Sequence, residues 1–303
     1  MGYKLKKNES ANAGIRRIAR EEIDEALELF EKKGSDPEET VHELRKHFKK
    51  IRAVARLVRD ELGAEAYERD NASVRELGQR LASVRDSTVR VSALERLRST
   101  YEKEFPAEET SPIQKRLASR HHAALGRLRR GTTLATIGRE LEALRRRVRA
   151  WPLHQEGFSC LEAGLRRGYR QGMKGAAEAY ASRTDEAFHE WRKRAKDLRY
   201  HIELLEPIWP ETMKDLERML HTLTDHLGDD HDFADLRSTL TTSTKLTEGA
   251  KGVTTVIELI DRRRSELQGA ARPLGARIYS EKPRAFSRRI ESYWEAWRSC
   301  PDD

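Results

Sequence analysis

The sequence predicts an all-α protein built as two related helical halves that face one anionic ligand. Three observations predict it. The 303 residues are only 37% apolar and 36% charged, a balance that suits long amphipathic helices with wide solvated faces. Ala, Leu, Glu, Lys and Arg, the strong helix formers, abound. Thirdly, VHELRKHFKKIRAVARLV at 41–58 returns as FHEWRKRAKDLRYHIELL at 188–205.

Nearly every segment has a helical period and none shows sustained alternation with β-branched residues. In order, the period and punctuation predict helices near 12–33, 37–62, 65–104 (broken around Asp70-Asn71), 112–130 and 133–151. Asp36-Pro37-Glu38-Glu39 caps the second of these, and Gly63 stops it. Trp151-Pro152 reads as a hinge. Beyond it, helices are expected near 156–181, 184–206, 210–227, 230–241, 250–272 and 283–299, bounded by Pro207, Pro210, Gly228, Pro273 and Pro283. Residues 1–150 and 151–303 each read as a helical bundle, and one fused unit with pseudo-twofold symmetry is the favoured organisation.

Stacked without a gap, the two copies share H-E-x-R-K-x-x-K-x-x-R. At about 100° per residue, His42, Arg45, Lys46, Lys49 and Arg52 fall within an arc of roughly 120°, and Leu44, Phe48, Ile51, Ala55 and Val58 face away. The second copy divides likewise. His189, Arg192, Lys193, Lys196 and Arg199 lie in front, joined by Tyr200, with Trp191, Ala195, Leu198, Ile202 and Leu205 behind. A charged face is usually a solvated one, with acids one turn from bases. These front arcs hold no acid, so their cations repel, and an anion would offset that repulsion.

The duplication extends further. Gly14-Ile15-Arg16-Arg17 with Arg20 parallels Gly164-Leu165-Arg166-Arg167 with Arg170, and these six arginines are expected to extend the basic wall. Leu81–Asp86 parallels 227–232, setting Arg85-Asp86 against His231-Asp232. Arg145, Arg146, Arg147 and Arg149 are read as a phosphate contact or a solvated helix end, the latter for Arg146. Lys4, Lys6 and Lys7 either fold over the ligand or form a frayed tail.

A net charge of +8 points to a polyanion. Single-stranded nucleic-acid sites interleave cations with stacking aromatics, and the front arcs offer one Tyr. No GxxxxGK[ST] loop is present. A bare Arg and Lys ladder suits a chain of phosphates without bases. Only Cys160 and Cys300 occur, which excludes a disulfide framework or CxxC metal site. No apolar run approaches 18 residues and no signal segment is read, so a cytoplasmic protein is expected.

Catalysis has two candidates. His42 and His189 are the residue type of a general base, yet no Ser or Cys recurs beside them, and phosphate contact is the simpler role. His221, Asp225, His226, Asp229, Asp230, His231 and Asp232 offer metal-friendly types, but their counterpart in the first half does not, and Asp229 or Asp230 after Gly228 reads as a helix cap.

The paired HExRKxxKxxR helices, the Arg-Asp and His-Asp turns, and the run from Tyr279-Ser280-Glu281-Lys282-Pro283 to Tyr293-Trp294 resemble the CHAD family, the conserved histidine α-helical domain. The resemblance covers nearly the whole chain. It implies two four-helix bundles related by a pseudo-twofold, around a basic central groove or tunnel that binds inorganic polyphosphate, and association with polyphosphate granules. Some members carry a CYTH triphosphate-tunnel domain, whose ExExK segment is absent here. The expectation is a non-catalytic polyphosphate-binding protein with no cofactor and no membrane partner, nucleic acid being a weak competitor. A general nucleic-acid-binding or scaffold protein, or a metal-dependent phosphohydrolase, stands as the alternative.

Overall fold

The computed structural model describes residues 2–31 and 36–300, and the described residues contain no strand. The helices are α1 (Ala11–Glu31), α2 (Pro37–Leu57), α3 (Arg59–Arg80), α4 (Ala82–Thr100), α5 (Ala107–Arg130) and α6 (Thr133–Arg149). They continue as α7 (Ser159–Ser182), α8 (Asp185–Leu204), α9 (Pro210–Thr242), the single turn α10 (Thr244–Thr247), α11 (Val253–Ile278) and α12 (Pro283–Ser299). A 3₁₀ turn at Glu206–Ile208 joins α8 to α9. The expected end of the first helix, 32–33, lies outside the described residues. Among those described, no helix is long and apolar enough to cross a membrane.

The two motif helices start from side-chain caps. The Asp36 carboxylate accepts from the Glu38 N–H at 3.3 Å, with Pro37 in the first turn. The Thr184 hydroxyl accepts from the Ala187 N–H at 3.2 Å. Arg183, at φ 52°, ends α7 and turns the chain directly into α8. Gly63, at φ 72°, kinks the chain, because that left-handed conformation is open to glycine at little cost. The expected helix end thus falls there, after a first break at Val58.

Several boundaries differ from expectation. The break expected near Asp70 comes at Leu81, because Asp70 is buried as an anchor: Arg147 donates to it at 2.7 Å and the Trp151 indole at 2.9 Å. Gly228 does not divide α9, which runs on through Asp230. Packing of both ends outweighs the roughly 1 kcal/mol that a mid-helix glycine costs. Asp230 is consequently no cap: buried in mid-helix, it accepts from Arg264 at 3.0 Å and Gln268 at 2.9 Å. Likewise α11 passes through Pro273 to Ile278.

Two apolar cores result, and both draw on residues from either side of 151. The larger joins α1, α2, α6, α7, α8, α12 and the start of α9, around Ile15, Leu44, Leu141, Leu165, Trp191 and Ile290. The smaller joins α4 and α5 to the end of α9, α10 and α11, through Leu97, Ile113, Leu117, Phe233, Leu246 and Val256. Segment 2–7 is no frayed tail. Leu5 is buried, its N–H bonds to the Leu204 carbonyl at 3.1 Å, and Lys4 pairs with Glu206 at 2.7 Å.

The motif helices meet each other reciprocally. Lys50 of α2 pairs with Glu203 of α8 at 3.3 Å, and Arg56 of α2 with Asp197 of α8 at 2.6 Å. In the repeat, Lys50 corresponds to Asp197 and Arg56 to Glu203. Each contact is therefore the other with the copies exchanged, the pattern of an isologous, locally twofold interface. The centre of that exchange falls at Ala53 and Tyr200, where the His201 ring lies 2.9 Å from the Ala53 carbonyl. Helix α7 reaches the end of α2 through Gly164, where a Cβ would stand 1.7 Å from the Leu57 carbonyl oxygen.

Candidate anion-binding cleft

A cleft of about 550 Å³ opens where α2, α3, α7 and α8 come together. Helix α2 contributes Arg45, Lys49, Arg52 and Arg56, and α8 contributes His189, Arg192, Lys193, Arg194, Lys196, Asp197, Tyr200 and His201. Arg59, Tyr67 and Arg75 of α3 and Arg167 and Gln171 of α7 complete it. Asp197, held by Arg56, is its single acid. A second cavity of about 230 Å³ lies between α2 and α3 and shares Arg45, Lys49, Arg52 and Arg75 with the first. The ridge of α2 cations is thus exposed on two sides.

The cations differ in how they are held. Arg52 donates to the Asn71 side chain at 3.0 Å, Arg199 to Glu217 at 2.6 Å, and Arg45 to the Gly78 carbonyl at 2.8 Å. Arg167 pairs with Asp60 at 2.7 Å and donates to the Arg56 carbonyl at 3.2 Å, capping the end of α2. Lys49, Arg192 and Lys196 have no acid or hydrogen-bond partner among the described residues. The Arg192 Nε and His189 Nδ1 atoms are buried and unpartnered.

Desolvation that nearby carboxylates do not fully offset disfavours the charged forms. Burial, with Lys196 and Arg45 beside it, lowers the Lys49 ammonium to about 6. Burial and Arg192 lower Lys196 to about 8. Burial with Arg56 brings Arg52 down to about 10, and burial also lowers Arg45 and Arg192. His189 is lowered by burial and by Lys193 and Arg192. Its ring lies tilted against that of His231, with centroids 4.1 Å apart, and burial beside His189 takes His231 to about 3. Both rings are therefore neutral near pH 7.

The structure gathers in this cleft Arg45, Lys49, Arg52, His189, Arg192, Lys193, Lys196, Tyr200 and Arg167 of the sequence-derived set. Others point elsewhere. His42 is 78% exposed at the side chain, 3.9 Å from Glu43, and Lys46 pairs with Glu43 at 3.1 Å. Arg199 is turned to Glu217, and Arg85 to Asp86 at 3.1 Å and Asp232 at 3.4 Å. Of the six arginines expected to extend the wall from the first helix of each half, Arg167 alone lines the cleft, and three others are engaged within the fold. Arg16 donates to the Trp151 and Leu153 carbonyls, Arg17 binds Glu9 and Glu21, and Arg166 binds Glu162. Arg20 and Arg170 do not line the cleft either. Arg145 and Arg147 are held by Asp24 and Asp70, at 2.6 and 2.7 Å.

Sequence reasoning missed Arg56, Arg59, Arg75 and Arg194. The first two were visible as a continuation: Arg45, Lys49, Arg52, Arg56 and Arg59 step by four and three residues along one helix face. Arg75 arrives from a neighbouring helix, for which spacing gives no signal. The proposed metal set along α9 does not converge: His221 pairs with Asp225 at 2.7 Å on the surface, while Asp230 turns to Arg264. Glu22, Glu25 and His47 do bring ligand atoms within 4.8 Å of one another. Glu22 already takes His47 at 2.7 Å and Lys50 at 3.2 Å, and that ammonium occupies the place of a cation.

Comparison with known proteins places the architecture. A search of curated proteins returned nothing similar to the chain. Among solved structures, PptA from Streptomyces chartreusis superposes with a TM-score of 0.59 at 16% identity, over 89% of this chain and 98% of that one. That likeness is one of fold. The CHAD domain model matches residues 17–241, a span that contains both motif helices and the whole cleft wall, and the chain belongs to the CHAD family.

Proposed function

We propose that this chain binds inorganic polyphosphate in the cleft between α2 and α8, electrostatically and without catalysis. One observation carries the reading: Lys49, Arg192 and Lys196 are desolvated side by side and none of them is paired with an acid, Asp232 and Asp225 offsetting the burial of Arg192 and Lys196 only in part. Burying cations without a paired acid is costly, and a polyanion entering the cleft would supply counter-charge over several positions at once. Arginine forks take phosphate oxygens bidentately, and lysines act as point charges.

Two features favour phosphate over nucleic acid. Tyr200 is buried, and the Tyr67 ring is covered by the Arg59 guanidinium at 4.6 Å, so neither offers a stacking face to a base. No hydroxyl of Ser or Thr and no thiol lines the cleft, and Asp197 is committed to Arg56. That lining supplies no nucleophile of those types and no free carboxylate base, which supports binding over turnover. The same binding would bring the chain to polyphosphate granules.

Competition at matched phosphate concentration, run at two salt concentrations, tests it. Polyphosphate should displace RNA or DNA far better than the reverse, and the affinity should fall steeply at the higher salt concentration. Equal or better displacement by RNA would replace this reading with general nucleic-acid binding. Phosphate release from polyphosphate by the purified chain would contradict its non-catalytic part.

A further inference from the structure

Lys49 is an amine set among the guanidinium groups of the cleft. It borders both cavities. Arg45 and Arg52 flank it on α2, Arg192 and Lys196 face it from α8, Arg85 acts on it from α4, and Arg75 of α3 lines the same space. No acid among the described residues pairs with it. The other lysines nearby are committed or charged: Lys193 is held by Glu190, Lys50 by Glu22 and Glu203, and Lys196 titrates near 8.

We propose that Lys49 is a covalent modification site for small acyl phosphates, whose phosphate the surrounding guanidinium groups hold while the lysine takes the acyl group. This rests on the reading that the cleft binds phosphate. In the step, the Lys49 amine lone pair attacks the carbonyl carbon and an amide C–N bond forms. The bond between that carbon and the bridging oxygen breaks. Inorganic phosphate leaves with that oxygen and takes one amine proton.

Two physical conditions favour this lysine. With a pKa of about 6, its amine is mostly neutral at pH 7, whereas a solvent-exposed lysine is neutral in roughly one molecule in 10³. Lysines desolvated beside other cations are activated in this way. Arginines around it raise the local concentration of the phosphorylated reagent. Acylation removes an amine that would take up a proton when a polyanion binds, so it would weaken polyphosphate binding.

Acetyl phosphate is the probe. The purified chain is incubated with it near pH 7 and peptides are mapped by mass spectrometry, with Lys214 (64% exposed) as the internal reference. Lys49 should acetylate roughly tenfold faster than Lys214, the gain in neutral fraction being partly offset by lower intrinsic basicity. Pyrophosphate should protect Lys49 and leave Lys214 unchanged. Equal rates at the two lysines, or no protection, overturns the inference. Acetyl phosphate should also lower the polyphosphate affinity of the native chain and leave that of Lys49→Arg unaltered; an equal fall in both points to another lysine and overturns it. Polyphosphate binding by untreated protein is measured in parallel. Binding with an unselective Lys49 sinks this inference alone; selective, protected acetylation without polyphosphate binding sinks the polymer reading and leaves a small-anion site.

Discussion

From α2 into the start of α3 the basic stripe that begins at Arg45 continues through Lys49, Arg52 and Arg56 to Arg59, whereas from α8 into the 3₁₀ turn the same register passes from Arg192, Lys196 and Arg199 to Glu203 and Glu206. The leading histidines part company too: His42 stands in solvent, and His189 is folded into the cleft against His231. Shared residues keep some shared roles, since Lys46 and Lys193 each pair with the glutamate three residues before. The difference lies where the copies meet. A duplicated helix that packs against its own copy must supply both charges of each contact, and the acids Asp197 and Glu203 on α8 answer Lys50 and Arg56 on α2. A repeated pattern therefore specifies a repeated helix, and divergence within it specifies which positions line the site and which hold the two helices together.

The largest expected effect separates the equivalent glycines. Gly164→Ala sets a Cβ against the Leu57 backbone, which cannot yield, whereas Gly14→Ala meets the Leu5 and Glu9 side chains, which can. Overpacking typically costs 1–3 kcal/mol, so about 3 kcal/mol or more is expected at Gly164 and about 1 kcal/mol at Gly14, by urea denaturation. Equal losses would mean that the two halves are packed alike.

A smaller effect separates the two lysines. Lys49 titrates near 6 in the folded chain and about 10.4 when unfolded, so between those values the unfolded state holds the extra proton and stability rises with pH. For Lys196 the window opens only near 8. Lys49→Met should flatten the stability profile from about pH 6 upward, and Lys196→Met only above about pH 8. Indistinguishable profiles would place the two amines in one environment. Since a polyanion favours the charged forms, binding should also take up protons between pH 6 and 8, and affinity should fall as pH rises.

The smallest effect separates the histidines. His189→Ala should weaken polyphosphate binding roughly two- to tenfold, the range of one lost neutral hydrogen bond, and His42→Ala should leave it within error. The reverse order, read by fluorescence anisotropy, would mean that the exposed head of α2 contacts ligand.

Much of this was legible beforehand because it is local. Helical period, the Asp36 cap, the φ-permissive Gly63 and the acid-free front arcs are properties of neighbouring residues. What failed depends on partners from distant segments. Asp70 looked like a helix breaker until Arg147 and Trp151 reached it. Gly228 looked like a stop, but packing carries α9 through it. Arg16 and Arg17 repeat as Arg166 and Arg167, yet only Arg167 reaches the cleft. A repeat keeps an arginine for holding a backbone carbonyl as readily as for holding a ligand.

The central claim is that the cations of both motif helices form one polyphosphate site. Long-chain polyphosphate binding by a chain with Arg45, Lys49, Arg192 and Lys196 all replaced by Ala, beside the wild type, measures it most directly. Binding should fall by a factor on the order of 10² or more, with the salt dependence shallower and the helical circular dichroism unchanged. Undiminished affinity in that folded variant would contradict the account.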